Sequence, residues 1–259
     1  RSSNSLSQFP LTELCLHYLF VFFRILQPPT ITHFISSAAS DVYKRHILSA
    51  SNALRSQGVE RILILPMYPQ FSSSTTAAIY DKLSDLLKQC PHLPEMRWIR
   101  DFHDYPDYIE ALAHSVKQQW EKTGQSEKLL MSFHGVPERY TAKGDPYEHH
   151  CRKTAVLLAE KLALKPEQWQ CCFQSRFGRE EWVKPYTDDT LKQWGADGIK
   201  SVDIICPAFS ADCLKTLKKI RLQNNHYFIG AGVRTITNVP VLNFLYYTYP
   251  TPTNNGNSL

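Results

Sequence analysis

Short apolar runs recur along this chain at intervals that leave room for one helix between neighbours. That spacing constrains the fold more than anything else in the sequence. RILILPMY (residues 61–68), MRWIRDF (96–102), KLLMSF (128–133), QCCFQS (170–175), SVDIICP (201–207) and YFIGAG (227–232) are each strand-length, and several are rich in β-branched or aromatic residues. Helical periodicity fills the intervals: Ile79, Leu83, Leu86 and Leu87 make one apolar stripe, residues 108–122 a second helix, and Ala155, Leu158 and Leu162 the inward face of a third. Ser72, Ser73 and Ser74 supply an N-cap for the first of these helices. Asp145-Pro146-Tyr147-Glu148 opens another with proline at its first position, and Thr187 with two aspartates caps a fourth. Strands separated by helices of this length imply α/β architecture, with parallel sheets covered on both faces.

The pattern holds from about residue 50 to residue 243, and the polar, glycine-containing stretch 123–127 divides it into two similar halves. The expected organisation is an incomplete first α/β domain over residues 47–125 and a second over 126–243. Residues 1–46 are atypical, with ISSAASDVYKR (35–45) interrupting the pattern, and the tail 244–259 is expected to be disordered. Residues 9–27 are hydrophobic but broken by Glu13, His17 and Arg24; their uncharged core, 18–23, is far short of the ~20 residues that span a bilayer. No convincing signal peptide is present.

Composition narrows the class. With 43% apolar and 20% charged residues in 259, the chain has the make-up of a soluble globular protein able to bury a core. The net charge of +5 is diffuse; its densest cluster, Lys215, Lys218, Lys219 and Arg221, suits a solvated helix face, so no nucleic-acid partner is expected. Mild basicity also suits an anionic small molecule or a loose association with a membrane surface. The seven cysteines show no Cys-x-x-Cys pair, which favours a reduced cytoplasmic setting and argues against a disulfide framework, a zinc site or an iron–sulfur cluster. His149-His150-Cys151 is not expected to make a metal site, since adjacent helical residues point in different directions. No dinucleotide fingerprint or P-loop is present.

The chemistry-bearing segments lie where the strands end. In SFHGVPERY (132–140) a buried-strand pattern finishes on His134, and Gly135 and Pro137 then break the chain into a loop. Open α/β sheets bind ligands beyond the carboxyl ends of their strands, so His134 sits where chemistry is usually done. YPQFSSSTT (68–76), FQSRFG (173–178) and CPAFSADCLKTL (206–217) bring Tyr68, Gln70, Phe71, Ser72, Ser73, Ser74, Gln174, Ser175, Phe209 and Asp212 to the same kind of place. The serines at a helix N-terminus would suit a carboxylate or phosphate, while for any single one of them simple N-capping is the better explanation. Core packing likewise explains Tyr68, Phe71, Trp182 and Phe209 as readily as a ligand surface does.

Four strings in this order, YPQFS, HGVP, FQSRFGREEW with PYTDDTL, and FSADCL with LKTL, resemble the ferrochelatase family, of the bacterial type. The resemblance implies two Rossmann-like domains with a tetrapyrrole held between them, and a lyase that inserts ferrous iron into a porphyrin in heme biosynthesis. Iron and porphyrin are then substrates, and no tightly bound cofactor is expected. His134 matches the family's active-site histidine, implied to ligate the metal or to take pyrrole N–H protons. A neutral imidazole is both a ligand for Fe²⁺ and a base near neutral pH.

Two departures stand out. The family's opening strand, its porphyrin-covering lip and an arginine-bearing loop have no counterpart in residues 1–46, and the metal-site glutamate is replaced by Lys215, with Lys219 in place of a second one. Two alternatives therefore stay open: a non-catalytic tetrapyrrole-binding remnant, and a chelatase for another tetrapyrrole and metal, such as a sirohydrochlorin cobalt chelatase.

Overall fold

The computed structural model describes residues 19–21, 58–88, 91, 93–210, 235–240 and 242. Packing divides the chain into two compact units, residues 1–102 and 103–259. In the first, three parallel strands run in the order β1 (Leu19–Val21), β2 (Arg61–Ile64), β3 (Glu95–Trp98). Both β2 and β3 are shorter than their apolar runs. Pro66 has no N–H to donate, and the last main-chain bond between the two goes from Ile99 N–H to Ile64 O. Beyond Trp98 regular pairing gives way to one further bond between the segments that follow, from Phe102 N–H to Pro69 O at 3.0 Å. Helix α1 (Thr76–Leu87) buries Ile79 and Leu83 against Ile64, flanked by Ile62, Tyr68, Met96 and Trp98. Strand β1, outermost among the described residues, lies in a segment where the sequence offered no counterpart to an opening strand; Leu19 pairs with Ile62 and Val21 with Ile64.

The second unit contains a four-stranded parallel sheet in the order β5 (Trp169–Gln174), β4 (Lys128–His134), β6 (Ser201–Ile205), β7 (Thr235–Asn238). Around it lie α2 (Pro106–Thr123), α3 (Glu138–Ala142), α4 (Tyr147–Lys161) and α5 (Thr187–Ala196). Strand residues alternate between faces. Leu130, Cys172, Val202, Ile204 and Cys206 pack with Leu191 and Trp194 of α5, with Ile199, Phe209 and Ile236 around them. On this face Ser132 Oγ and Thr187 Oγ1 lie 2.8 Å apart, and Cys172 Sγ–H donates to Thr190 Oγ1 at 3.2 Å. Phe133 turns the other way and meets Phe173, over whose ring the Arg152 guanidinium of α4 sits at 5.5 Å.

The division at Phe102/His103 lies ahead of the boundary near residue 125 suggested by composition, because α2 is tied to β6 and its flanks. Its Trp120 Nε1–H donates to the buried Asp203 carboxylate of β6 at 2.7 Å, and Tyr108 O–H donates to Pro207 O. Ser126 N–H and Oγ–H also reach Asp203, at 3.2 and 2.9 Å.

Helix starts differ from the sequence expectation in detail. Thr187 is the first helical residue of α5 rather than its cap; Tyr186 holds the cap position with no side-chain capping bond. Pro146 is the cap of α4, and the capping bond comes from Asp145 Oδ1, which accepts Tyr147 N–H at 3.0 Å. The strand expected over residues 227–232 lies outside the described residues, and β7 comes after it at Thr235–Asn238. Among the described residues no helix is long and apolar enough to cross a membrane.

Candidate active site

The open end of the second unit's sheet is built on β4. Five consecutive buried residues, Leu129 to Phe133, anchor the strand, and it delivers an exposed His134 at its last position, opposite Gln174 of β5. Strand alternation puts His134 and Gln174 on the α5 face, in line with Ser132 and Cys172. Gln174 Nε2–H reaches Cys206 Sγ at 3.7 Å, joining the ends of β5 and β6. Ser175 then adopts φ 73°, the left-handed region that side-chain-bearing residues rarely occupy, so the chain turns sharply off the strand.

The loop after His134 is held against the segment beyond β5. Gly135 N–H donates to Gln174 O at 2.7 Å, Val183 N–H to Val136 O at 3.0 Å, and Glu138 N–H to Glu181 O at 3.0 Å. Trp182, a candidate ligand surface by sequence, is only 5% exposed; its ring packs beneath the loop and its Nε1–H donates to Phe177 O at 3.1 Å. The exposed aromatic there is Phe177, 61% exposed and 4.9 Å from the Trp182 ring. Sequence reading passed over Phe177, although it lies in the FQSRFG string between two turn-formers. Arg176 beside it is held by Asp188 at 3.0 Å and Asp189 at 3.2 Å, with its guanidinium 4.1 Å from the centre of the Tyr186 ring. Phe209, just past β6, is half-buried against the α5 core, its N–H donating to Cys206 O at 3.2 Å. Asp212 and Lys215 lie outside the described residues.

The first unit carries the other group. Beyond β2, Gln70 and Ser72 are buried, Tyr68 and Phe71 half-buried, and Ser73 and Ser74 exposed. Ser72 is absorbed in a turn: its Oγ accepts Ser74 N–H at 3.2 Å and meets Ser74 Oγ at 2.9 Å, while its carbonyl accepts from Thr75 and Ala77, each at 3.2 Å. The serines therefore shape the entry to α1, which begins only at Thr76. The Arg100 guanidinium lies 5.4 Å from the Phe71 ring centre, and Tyr80 stacks on Trp98 at 4.1 Å. Burial raises the Tyr80 hydroxyl's pKa.

His149 is exposed while His150 and Cys151 are buried, in keeping with side chains that diverge along α4. Burial pushes the Cys171 and Cys172 thiols up to about 12, and raises the Cys151 thiol and the Tyr147 hydroxyl as well. These groups are protonated and chemically quiet at neutral pH.

The family model and the curated relatives point to one family. The family model described as Ferrochelatase matches residues 29–245, reaching upstream of the position near 50 where the sequence strings begin. A ferrochelatase of Aeromonas hydrophila subsp. hydrophila is 55% identical over 191 residues, covering 74% of this chain and 59% of that protein. One of Vibrio cholerae serotype O1 is 49% identical over 197 residues, covering 76% of this chain and 62% of the relative. The chain thus spans about three fifths of the length of these curated relatives. Among solved structures, SirB from Bacillus subtilis with Fe3+ superposes with a TM-score of 0.55 at 14% identity, covering 76% of this chain and 71% of that one, a likeness of fold.

Proposed function

Because this chain belongs to the ferrochelatase family, we propose that it acts on a porphyrin, protoporphyrin IX or coproporphyrin, and that its chemistry is the insertion of ferrous iron during heme biosynthesis. The observation that carries the reading is the exposed imidazole of His134 at the open end of a parallel sheet, on a strand otherwise buried along its length. Metallation requires that Fe²⁺ lose water and that two pyrrole N–H groups lose protons. One imidazole can serve either step: its lone pair binds the cation or accepts a proton. Gln174 and Ser175, adjoining it, and Phe209 are assigned to substrate contact, with Phe177 as an added aromatic surface. Tyr68, Gln70, Phe71 and the serine turn are assigned to the same substrate, and Trp182 supports the His134 loop. A cytoplasmic setting with loose contact at a membrane surface belongs to the same proposal, supported by the cysteine spacing and the mild positive charge.

Lys215 favours a second reading, porphyrin binding without insertion. A carboxylate at that position attracts Fe²⁺ or takes a proton, and an ammonium does neither. A unit charge about 4 Å from another is worth ~4 kcal/mol at an effective dielectric near 20, and a dication doubles it. Iron insertion by the 259-residue chain and by its Lys215→Glu variant separates the two. We expect the variant to be faster by at least about tenfold, the equivalent of ~1.4 kcal/mol. Equal rates would remove the charge argument. Porphyrin fluorescence quenching without insertion in either protein would leave the binding-only reading.

A further inference from the structure

We infer that Gly135 is a positioning residue that sets the tautomer of His134, keeping the proton on Nδ1 and the ring's lone pair on Nε2. This rests on the reading of His134 as the group that meets iron or a pyrrole proton. His134 Nδ1 lies 2.8 Å from Gly135 O. A carbonyl oxygen only accepts, so Nδ1 is the donor, and in the neutral ring the lone pair then belongs to Nε2. A main-chain carbonyl that fixes one ring nitrogen is the usual way a histidine is held to present the other to a metal. When Nε2 takes a proton from a pyrrole N–H, the electron pair stays on the porphyrin nitrogen. The resulting imidazolium keeps its Nδ1–H bond to Gly135, a bond strengthened by the new charge.

The carbonyl can play this part because its peptide has no freedom to turn. On one side Gly135 N–H is bonded to Gln174 O, and on the other Val136 O is bonded to Val183 N–H. A side chain would be crowded between them. A Cβ at this position would lie 3.0 Å from Gln174 O, an atom of the strand backbone, and 3.2 Å from Cε3 of Trp182. The Trp182 ring cannot retreat easily: it is buried and its Nε1–H is bonded to Phe177 O. A methyl group there must displace the Gly135 peptide, and with it the carbonyl that holds Nδ1.

Nitrogen-15 NMR of the whole chain labelled in its ten histidines, at a pH above imidazole titration, tests this directly. The His134 signals are assigned by their loss in His134→Gln. We expect the pattern of a protonated Nδ1 and an unprotonated Nε2; the opposite pattern overturns the inference. In Gly135→Ala the balance should move towards Nε2–H by about fivefold, the value of one ordinary hydrogen bond. An unchanged balance in folded Gly135→Ala would remove glycine's part. The unaltered chain's spectrum decides the tautomer whether or not that variant folds. A His134 protonated on Nδ1 in a chain that inserts no iron sinks the proposed function alone. One protonated on Nε2 in a chain that does insert iron sinks this inference alone.

Discussion

Asp203→Ala should be among the most damaging single changes in the second unit. Asp203 is 1% exposed in β6 and accepts three hydrogen bonds, from Trp120 Nε1 at 2.7 Å, Ser126 Oγ at 2.9 Å and Ser126 N at 3.2 Å. Bonds to a charged acceptor are worth about 1.5–3 kcal/mol each, but Trp120 and Ser126 are only half-buried, so water replaces part of the loss. The expected cost is about 3–4 kcal/mol, a large share of a typical domain's stability. With a urea m-value of ~2 kcal/mol/M, the unfolding midpoint should fall by roughly 1.5–2 M. Asp203→Asn should lose about half as much, because it keeps one oxygen for Trp120 while its amide N–H₂ faces a donor. Circular dichroism during urea unfolding is the assay, with Trp120→Phe closing a double-mutant cycle. A coupling energy of at least about 1 kcal/mol is expected. A midpoint within about 0.3 M of the parent for Asp203→Ala would show that the network holds nothing together.

His134→Ala should abolish iron insertion while leaving the circular dichroism and urea midpoint close to the parent's, since the side chain is exposed at a strand end; residual insertion at the parent rate would remove it from the chemistry. The hydrogen bond from Lys153 holds the Asp104 carboxyl below its usual range, so its contribution to stability is complete above the unfolded value of about 3.9 and is lost as pH falls through the folded one. Asp104→Asn should therefore flatten the fall in unfolding midpoint between about pH 5 and pH 3, and an unchanged slope would exclude the pair as its cause. Cys151, Cys171 and Cys172 should resist a thiol reagent at neutral pH until the chain unfolds; rapid labelling of any of them in the native chain would contradict their burial.

The elements that the sequence made legible are those whose apolar residues run together. β4, with five buried residues in a row, stood out, and so did the histidine after it, because Gly135 and Pro137 mark the break. β7 was passed over because Ile236 alone is apolar among its four residues. Thr187 looked like a cap because nothing in the sequence says that Ser132 will lie 2.8 Å from its hydroxyl. The same limit applies to the site. HGVP announces a loop carrying a histidine, but the contacts of Gly135 with Gln174 and Trp182 join residues some forty positions apart and arise only when β5 pairs with β4. Trp182 reads as a ligand surface or a core residue by composition; only its packing decides that it lies beneath the loop.

The strand order β5-β4-β6-β7 also bears on how the protein is made. β4 leaves the ribosome before either of its partners exists, and its second neighbour, β6, emerges roughly seventy residues later, which at ~5–20 residues per second is a wait on the order of several seconds. Until β5 and then β6 emerge, Leu129, Leu130, Met131 and Phe133, all buried in the finished protein, lack the strands that flank β4. The strand that presents His134 thus spends its first seconds as an apolar segment without its sheet partners. A chaperone that grips apolar stretches during synthesis has a foothold there.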